Sequence, residues 1–472
     1  MKPYKVLLFI ACVMLCLGAL CMVLPGSITW SDKTLRWPTL AEVFDKETSA
    51  LSLLDSDLLD DISEYTIQTD SIPADMIQTD SIQGETIVPD TTQADSIPAD
   101  SIQTDSIPAD SIPPEKPKPV ELPKVTMDST TDSRIYLRAF YASLDQASTR
   151  RVRVLHYGDS QIEEDRMSQQ IREHLQKKYG GAGAGLLPLA QTIPSYTVTQ
   201  RLHMNGRSIT PQQGPRRYMV YGLKRDQRAD GLYGVMGQVA MMNDSLVKGS
   251  EDIMAVCTPK GKAAQYTQWQ VFADNSIEYS TSGDTVRLHG HGAVYGLSQV
   301  SETGVIVDNI PMRGCLGLVF TKMDREQLTT FYREQNVRLI ILQFGGNAIP
   351  FNQNPGTVQA IVKNLRGQVQ YVRSCAPEAS ILFIGPSDMM RQVDGEWQSY
   401  PMVPYMDKLL QKMALEEHIA YFSLFRWMGG SGSMKRWHEN GMACDDGVHF
   451  YRGGARKAGN AVAEWILEGM EN

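Results

Sequence analysis

The stretch VRVLHYGDS, residues 152–160, runs an apolar segment of strand length into a tight turn, Gly158-Asp159-Ser160. A serine hydroxyl is a weak nucleophile at neutral pH; it needs a histidine within hydrogen-bond reach to take its proton and a carboxylate to fix the imidazole tautomer. Far downstream, Asp446-Gly447-Val448-His449 offers both on one loop, close to the C-terminus. Each half is ordinary by itself. Gly-Asp-Ser is common turn and helix-cap chemistry, and a lone histidine is more often a surface group than a base.

Two further strand-to-loop junctions lie between them. Residues 305–310 (VIVDNI) empty into Met312-Arg313-Gly314, and residues 337–344 (VRLIILQF) empty into Gly345-Gly346-Asn347. The second run is apolar almost throughout, as expected of a strand covered on both faces. Residues 381–384 (ILFI), ending at Gly385-Pro386-Ser387, and 419–425 (IAYFSLF), ending at Arg426, read as further strands. Helical stretches alternate with them: Ile162, Met167, Ile171 and Leu175 recur up to the stop at Gly180-Gly181, and residues 358–374, 403–418 and 454–470 continue the series. The pattern predicts a three-layer, doubly wound α/β domain with a parallel sheet. In such a sheet the loops at the carboxyl ends of the strands meet in one crevice. Ser160 is expected to open the first helix, with its N–H in the positive field of the helix end.

The blocks Gly-Asp-Ser160-Gln, Arg-Gly314-Cys-Leu-Gly, Gly-Gly-Asn347 and Asp446-Gly-Val-His449 resemble, in that order, the SGNH (GDSL-type) hydrolase family. The resemblance implies Ser160 as nucleophile, His449 as base, Asp446 as the carboxylate orienting it, and an oxyanion hole made by the N–H groups of Ser160 and Gly314 and the side-chain amide of Asn347. Asp445 is the neighbouring rival carboxylate, and the family spacing prefers Asp446. Distance from the strand selects Gly314 over Gly317. The third block departs from the usual GxND form by carrying Ala348 after Asn347, which leaves the amide donor in place.

Composition changes sharply along the 472 residues. Residues 6–24 are nineteen uncharged residues behind Lys2 and Lys5. That length and flank predict an N-terminal anchor (1–30) in the cytoplasmic membrane, with the rest exported. The apolar run exceeds a usual signal-peptide core. A membrane-proximal segment follows (31–65), in which Val43, Phe44, Leu51, Leu54, Leu58, Leu59 and Ile62 could line one face of a short helix. Residues 66–124 repeat Asp-Ser-Ile from Asp70, Asp80, Asp95, Asp100, Asp105 and Asp110, interspersed with proline. Such an acidic, core-less segment predicts a disordered linker. The chain carries 45 basic and 54 acidic residues, net −9; sixteen acidic residues and no basic one lie between Lys46 and Lys116, so the remainder carries +7. Dispersed basic residues and export exclude a nucleic-acid module.

The hydrolase blocks then fall in 125–190 and 305–472, separated by 191–304. Runs such as WQVF (269–272) and TVRLH (285–289), with turns between them, predict an inserted β-sandwich-like domain there. Carbohydrate binding is one role for it: Tyr233, Tyr266, Trp269 and Tyr295 could stack on sugars or form its core. The plan is similar to that of SGNH esterases that remove O-acetyl groups from peptidoglycan. Cys257, Cys315, Cys375 and Cys444 allow three pairings in an oxidising compartment, with Cys315 and Cys444 beside two of the blocks. His203, His289 and His291 lack metal-ligand spacing, and neither metal nor cofactor is expected. The resemblance implies an exported serine esterase that deacetylates a cell-envelope glycan, most readily peptidoglycan. The alternatives are an O-acetyltransferase partnered by a membrane acyltransferase and an inactive glycan-binding surface protein.

Overall fold

A computed structural model of the chain describes residues 27–30, 33–36 and 132–470, apart from 192, 205, 210–215, 220–237, 243–251 and 353. Two compact units are present, Met1–Pro114 and Glu115–Asn472. In the first, Ser27–Trp30 and Lys33–Arg36 pair as an antiparallel hairpin. The apolar run 6–24 of the expected anchor, the expected short helix carrying Val43 to Ile62, the linker 66–124 and Tyr233 lie outside the described residues. Among the described residues no helix is long and apolar enough to cross a membrane.

The second unit is built on a five-stranded parallel sheet: β1 (Arg151–Gly158), β2 (Gly304–Pro311), β3 (Val337–Gln343), β4 (Ser380–Ile384) and β5 (Ala420–Phe422). Its spatial order is β2-β1-β3-β4-β5, with every neighbouring pair parallel. Alternation along each strand separates two cores. Leu155 and Tyr157 of β1, Ile340 and Leu342 of β3, and Ile381 and Phe383 of β4 face one core with helices α3 (Arg325–Glu334), α4 (Pro355–Cys375) and α5 (Val403–Glu416). Val152, Val154, Leu339, Ile341, Leu382 and Ile384 face the other, with α1 (Arg138–Leu144), α2 (Ser168–Tyr179) and α6 (Arg452–Glu468). Each of these side chains is at most 3% exposed, and each contributes roughly 1.5–3 kcal/mol of burial.

Helix starts follow local chemistry. The Asp324 carboxylate accepts from the Gln327 N–H ahead of α3, and the Asn354 side chain accepts from Gly356 N–H ahead of α4, where Pro355 takes the first helical position. The run 419–425 is a strand only at Ala420–Phe422. Ser423 ends it: its hydroxyl accepts from the Arg426 N–H and starts the helix Leu424–Met428.

Between β1 and β2 the chain forms two five-stranded antiparallel sheets. In one, Gly292–Val300 pairs with Gln268–Ala273, Gln238–Met242 and Gly185–Leu187. The other runs Ile277–Ser282, Thr285–Gly290, Asp252–Pro259, Val198–Met204, Arg207–Ile209. Val198, Leu202, Ile253, Ala255, Val286, Leu288 and Leu297 fill a third core here. A buried ion pair fastens this region to the sheet. Arg153 of β1 holds Asp308 of β2 at 2.6 Å, and also donates to Ser298 and Gln270 of the inserted strands.

Candidate active site

In this strand order β1 lies between β2 and β3; the chain leaves β1 toward β2 and leaves β3 toward β4, so its direction diverges between β1 and β3. Loops leaving the carboxyl ends of two such strands part from one another and leave a crevice. Ser160 follows β1 and Asn347 follows β3, which places both at that crevice.

Ser160 Oγ lies 2.7 Å from His449 Nε2, and His449 Nδ1 lies 2.6 Å from Asp446 Oδ2. Asp446 Oδ1 also accepts the N–H groups of Val448 and His449, at 2.8 and 2.9 Å. Burial pushes the Asp446 carboxyl up, but the hydrogen bonds from His449 and Val448 outweigh it and the net displacement is downward. Asp445 points elsewhere, its Oδ1 lying 2.9 Å from His438 Nε2. The loop keeps its shape through the bridge of Ala443 to Phe450, the Cys444 N–H bond to His449 O, and the Met390 N–H bond to Gly447 O. Gly447 has φ 71, and a β-carbon there would stand 2.6 Å from Met390 O, so the tight turn between Asp446 and His449 needs glycine.

The other two loops are tied to the serine turn. Met312 N–H donates to Gly158 O at 2.8 Å, and the following turn, closed by Cys315 N–H to Met312 O, holds Gly314 at φ 71. No hydrogen bond among the described residues occupies the Gly314 N–H. Asn347 Nδ2 donates to Asp159 Oδ2 at 3.0 Å and reaches Cys315 O at 3.3 Å, so one amide touches the neighbours of both Ser160 and Gly314.

The helix expected to begin at Ser160 does not. Residues Ser160–Asp165 form a short 3-10 segment interrupted at Glu163 and Glu164, and the α-helix starts at Ser168. Tertiary bonds override the helical periodicity. Asp165, at φ 62, is gripped by Arg172 at 2.5 and 3.1 Å and by the Thr197 hydroxyl, while Tyr196 N–H bonds Glu164 O. The macrodipole of α2 therefore does not act at Ser160; as the first residue of a short turn, Ser160 still has an N–H without an intrahelical partner.

Three polar residues at the site had no role assigned from the sequence, although Asp159 and Gln161 flank Ser160 in its block. Gln161 donates through Nε2 to Val448 O at 2.6 Å, bridging the serine turn to the residue before His449. Asp159 is 5% exposed, and burial carries its carboxyl up to about 6 against the bonds from Gln161 N–H and Asn347 that favour the anion. Behind the crevice, His156 of β1 is fully buried between Ser168 Oγ, 2.8 Å from Nδ1, and Gln343 Oε1, 3.1 Å from Nε2. Desolvation takes its imidazole down to about 4, so the ring is neutral and carries one N–H between these two contacts, while the Ser168 hydroxyl also donates to Asn309 Oδ1 at 2.8 Å. Gln343 also lines the crevice that holds Ser160 and His449, so its orientation is set from behind.

The crevice encloses about 270 Å³ and is walled by Ser160, His449, Asn347, Gln343, Met389 and Phe351. A larger cavity of about 540 Å³ opens between the hydrolase strands and the inserted sheets, along Glu163, Leu187, Pro194, Tyr295 and Arg313. It lacks the Ser160–His449 pair, which lines the smaller space. Arg313, beside Gly314, is held by the buried Glu163 through two 2.7 Å bonds. Tyr295 is buried and donates to Asp274; Trp269 and Tyr266 meet edge to face, and both donate to Gly283 O. Cys257, Cys315, Cys375 and Cys444 are free thiols, so no bridge joins the loops of Cys315 and Cys444.

No family model and no curated protein matches the chain. Solved structures do. A peptidoglycan O-acetylesterase is 19% identical with a TM-score of 0.57, over 72% of this chain and 99% of that one. An acetyl xylan esterase is 12% identical, TM-score 0.24, over 35% and 80%, and a Clostridium thermocellum family 3 carbohydrate esterase is 12% identical, TM-score 0.26, over 36% and 80%. At that identity the first likeness is one of fold: this chain shares the fold of the peptidoglycan O-acetylesterase over nearly the whole of that protein.

Proposed function

We propose that the chain is a serine carboxylic ester hydrolase that removes O-acetyl groups from a cell-envelope carbohydrate, peptidoglycan first. The observation that carries this reading is the unbroken line of hydrogen bonds from Ser160 Oγ through His449 to Asp446. Ser160 Oγ attacks the acetyl carbonyl while His449 Nε2 takes its proton, and Asp446 stabilises the resulting imidazolium. The oxyanion is held by the N–H groups of Ser160 and Gly314 and by Asn347 Nδ2. The 3.3 Å contact of that amide with Cys315 O is the one that yields to it. His449 then protonates the departing sugar oxygen, and a water molecule activated by His449 releases acetate from Ser160.

Peptidoglycan is favoured by the likeness in fold to an enzyme of that name over nearly its whole length. Residues 6–24 are read as the membrane anchor and 66–124 as a disordered tether, holding the enzyme outside the cytoplasmic membrane; the inserted sheets are read as a sandwich that meets the glycan. The experiment is acetate release by the full-length chain from O-acetylated peptidoglycan and from 4-nitrophenyl acetate, with Ser160→Ala as control and with and without a sugar acceptor. Serine-dependent release is expected. Acetyl passed to the acceptor would instead make the chain a transferase, the outcome that calls for a membrane acyltransferase partner. No serine-dependent turnover on either ester would leave a glycan-binding protein.

A further inference from the structure

Five large apolar side chains stand exposed among the described residues: Ile135, Tyr279, Leu316, Phe351 and Tyr451. Three of them sit on the catalytic loops, since Leu316 follows Gly314, Phe351 follows Asn347, and Tyr451 follows His449 within a few residues. Phe351 is the extreme case, 87% exposed while forming part of the wall of the crevice that holds Ser160 and His449. The backbone beneath it is fixed: Asn352 bonds back to Ile349 O through its N–H and to Ala348 O through Nδ2, and Ile349 and Ala348 are buried. A ring left in water on such a backbone gains by being covered, because its apolar face is removed from solvent.

The crevice says what covers it. Phe351 shares its wall with Pro350, Pro386 and Met389, whereas Ser160, Asn347 and His449 present hydrogen-bonding groups. A ligand fitting both has one flat apolar face and a polar, oxygen-bearing edge, which describes a pyranose ring. We propose that Phe351 is a positioning residue on which the sugar carrying the ester stacks, directing the acetyl group at Ser160 and giving the site its preference for glycan esters over simple ones. This rests on the esterase reading of the same site.

The test uses the full-length chain with Phe351→Ala and Phe351→Trp, and three readouts. These are hydrolysis of 4-nitrophenyl acetate, acetate release from soluble O-acetylated peptidoglycan fragments, and calorimetric binding of those fragments to the Ser160→Ala chain. Phe351→Ala should lower kcat/KM on the fragments roughly tenfold, mainly through KM, and weaken their binding by the same factor. The loss on 4-nitrophenyl acetate should be several-fold smaller than that on the fragments, and Phe351→Trp should restore the glycan values. Equal losses on both esters, unchanged glycan kinetics, or absent fragment binding would overturn the proposal. Fragment binding that depends on Phe351 without turnover of any ester would sustain the platform and sink the esterase reading.

Discussion

Asn347 donates from Nδ2 to Asp159 Oδ2 across 3.0 Å, which fastens the loop after β3 to the residue preceding Ser160. The donor proposed for the oxyanion is thus held in place by a buried carboxyl rather than by solvent, and its position is set before substrate arrives. Preorganisation of this kind is what makes a hydrogen-bond donor effective on a transient charge.

Asn347→Ala should therefore reduce kcat on an acetyl ester by about two to three orders of magnitude, the usual consequence of losing one oxyanion donor. The protein should remain folded, since the side chain is only partly buried. Steady-state kinetics with a melting curve on the same preparation decide it. A normal kcat removes Asn347 from the mechanism.

Asp159 and His156 should give stability opposing dependences on pH. The Asp159 carboxyl is raised from 3.8 to about 6 on folding, so its contribution is complete below the lower value and is lost as pH rises through the upper, on the order of 3 kcal/mol. The His156 imidazole is depressed from 6.5 to about 4, so its contribution is complete above the higher value and is lost as pH falls through the lower, again on the order of 3 kcal/mol. Between roughly pH 4 and 6.5 the two slopes offset each other. Asp159→Asn should leave a protein that gains stability with rising pH relative to wild type, and His156→Gln one that loses it. Denaturant midpoints for the three proteins across that window check this; parallel curves would contradict both assignments.

Gln161→Ala should loosen the base without touching the nucleophile. Its amide is bonded to Val448 O, so truncation frees the loop next to His449 at a cost of about 1 kcal/mol. The expected result is a kcat lower by roughly tenfold at unchanged KM, because the Ser160–His449 distance is no longer enforced. A shift in KM alone would place Gln161 in substrate binding instead.

Arg153→Met should destabilise the unit by about 3–5 kcal/mol, since it strands Asp308 as an unpaired buried charge. Adding Asp308→Leu should recover much of that loss, because two apolar groups need no partner. Melting temperatures of the single and double variants test the pair. A double variant no better than the single would mean that Ser298 and Gln270, which share the Arg153 guanidinium, carry the stabilisation.

The amino-acid sequence by itself determined the parallel sheet, because strands covered on both faces must be apolar nearly throughout, as residues 337–343 are, and because glycine marks the ends of β1, β3 and β4 at Gly158, Gly345 and Gly385. It also determined that a serine, a glycine, an asparagine and an Asp-x-x-His pair follow the ends of strands or lie in the last loop. Periodicity is local and survives in a string of letters. Tertiary structure alone decided that α2 begins at Ser168 rather than Ser160, since Arg172, Thr197 and Tyr196 grip residues 164 and 165 and outweigh a helical pattern. It alone decided that Asp445 turns to His438 while Asp446 turns to His449, and that Gln161 and Asp159 line the crevice with His156 behind it. Those outcomes depend on side chains far apart in the chain competing for the same few polar atoms once water has left, a contest that no spacing along the sequence records.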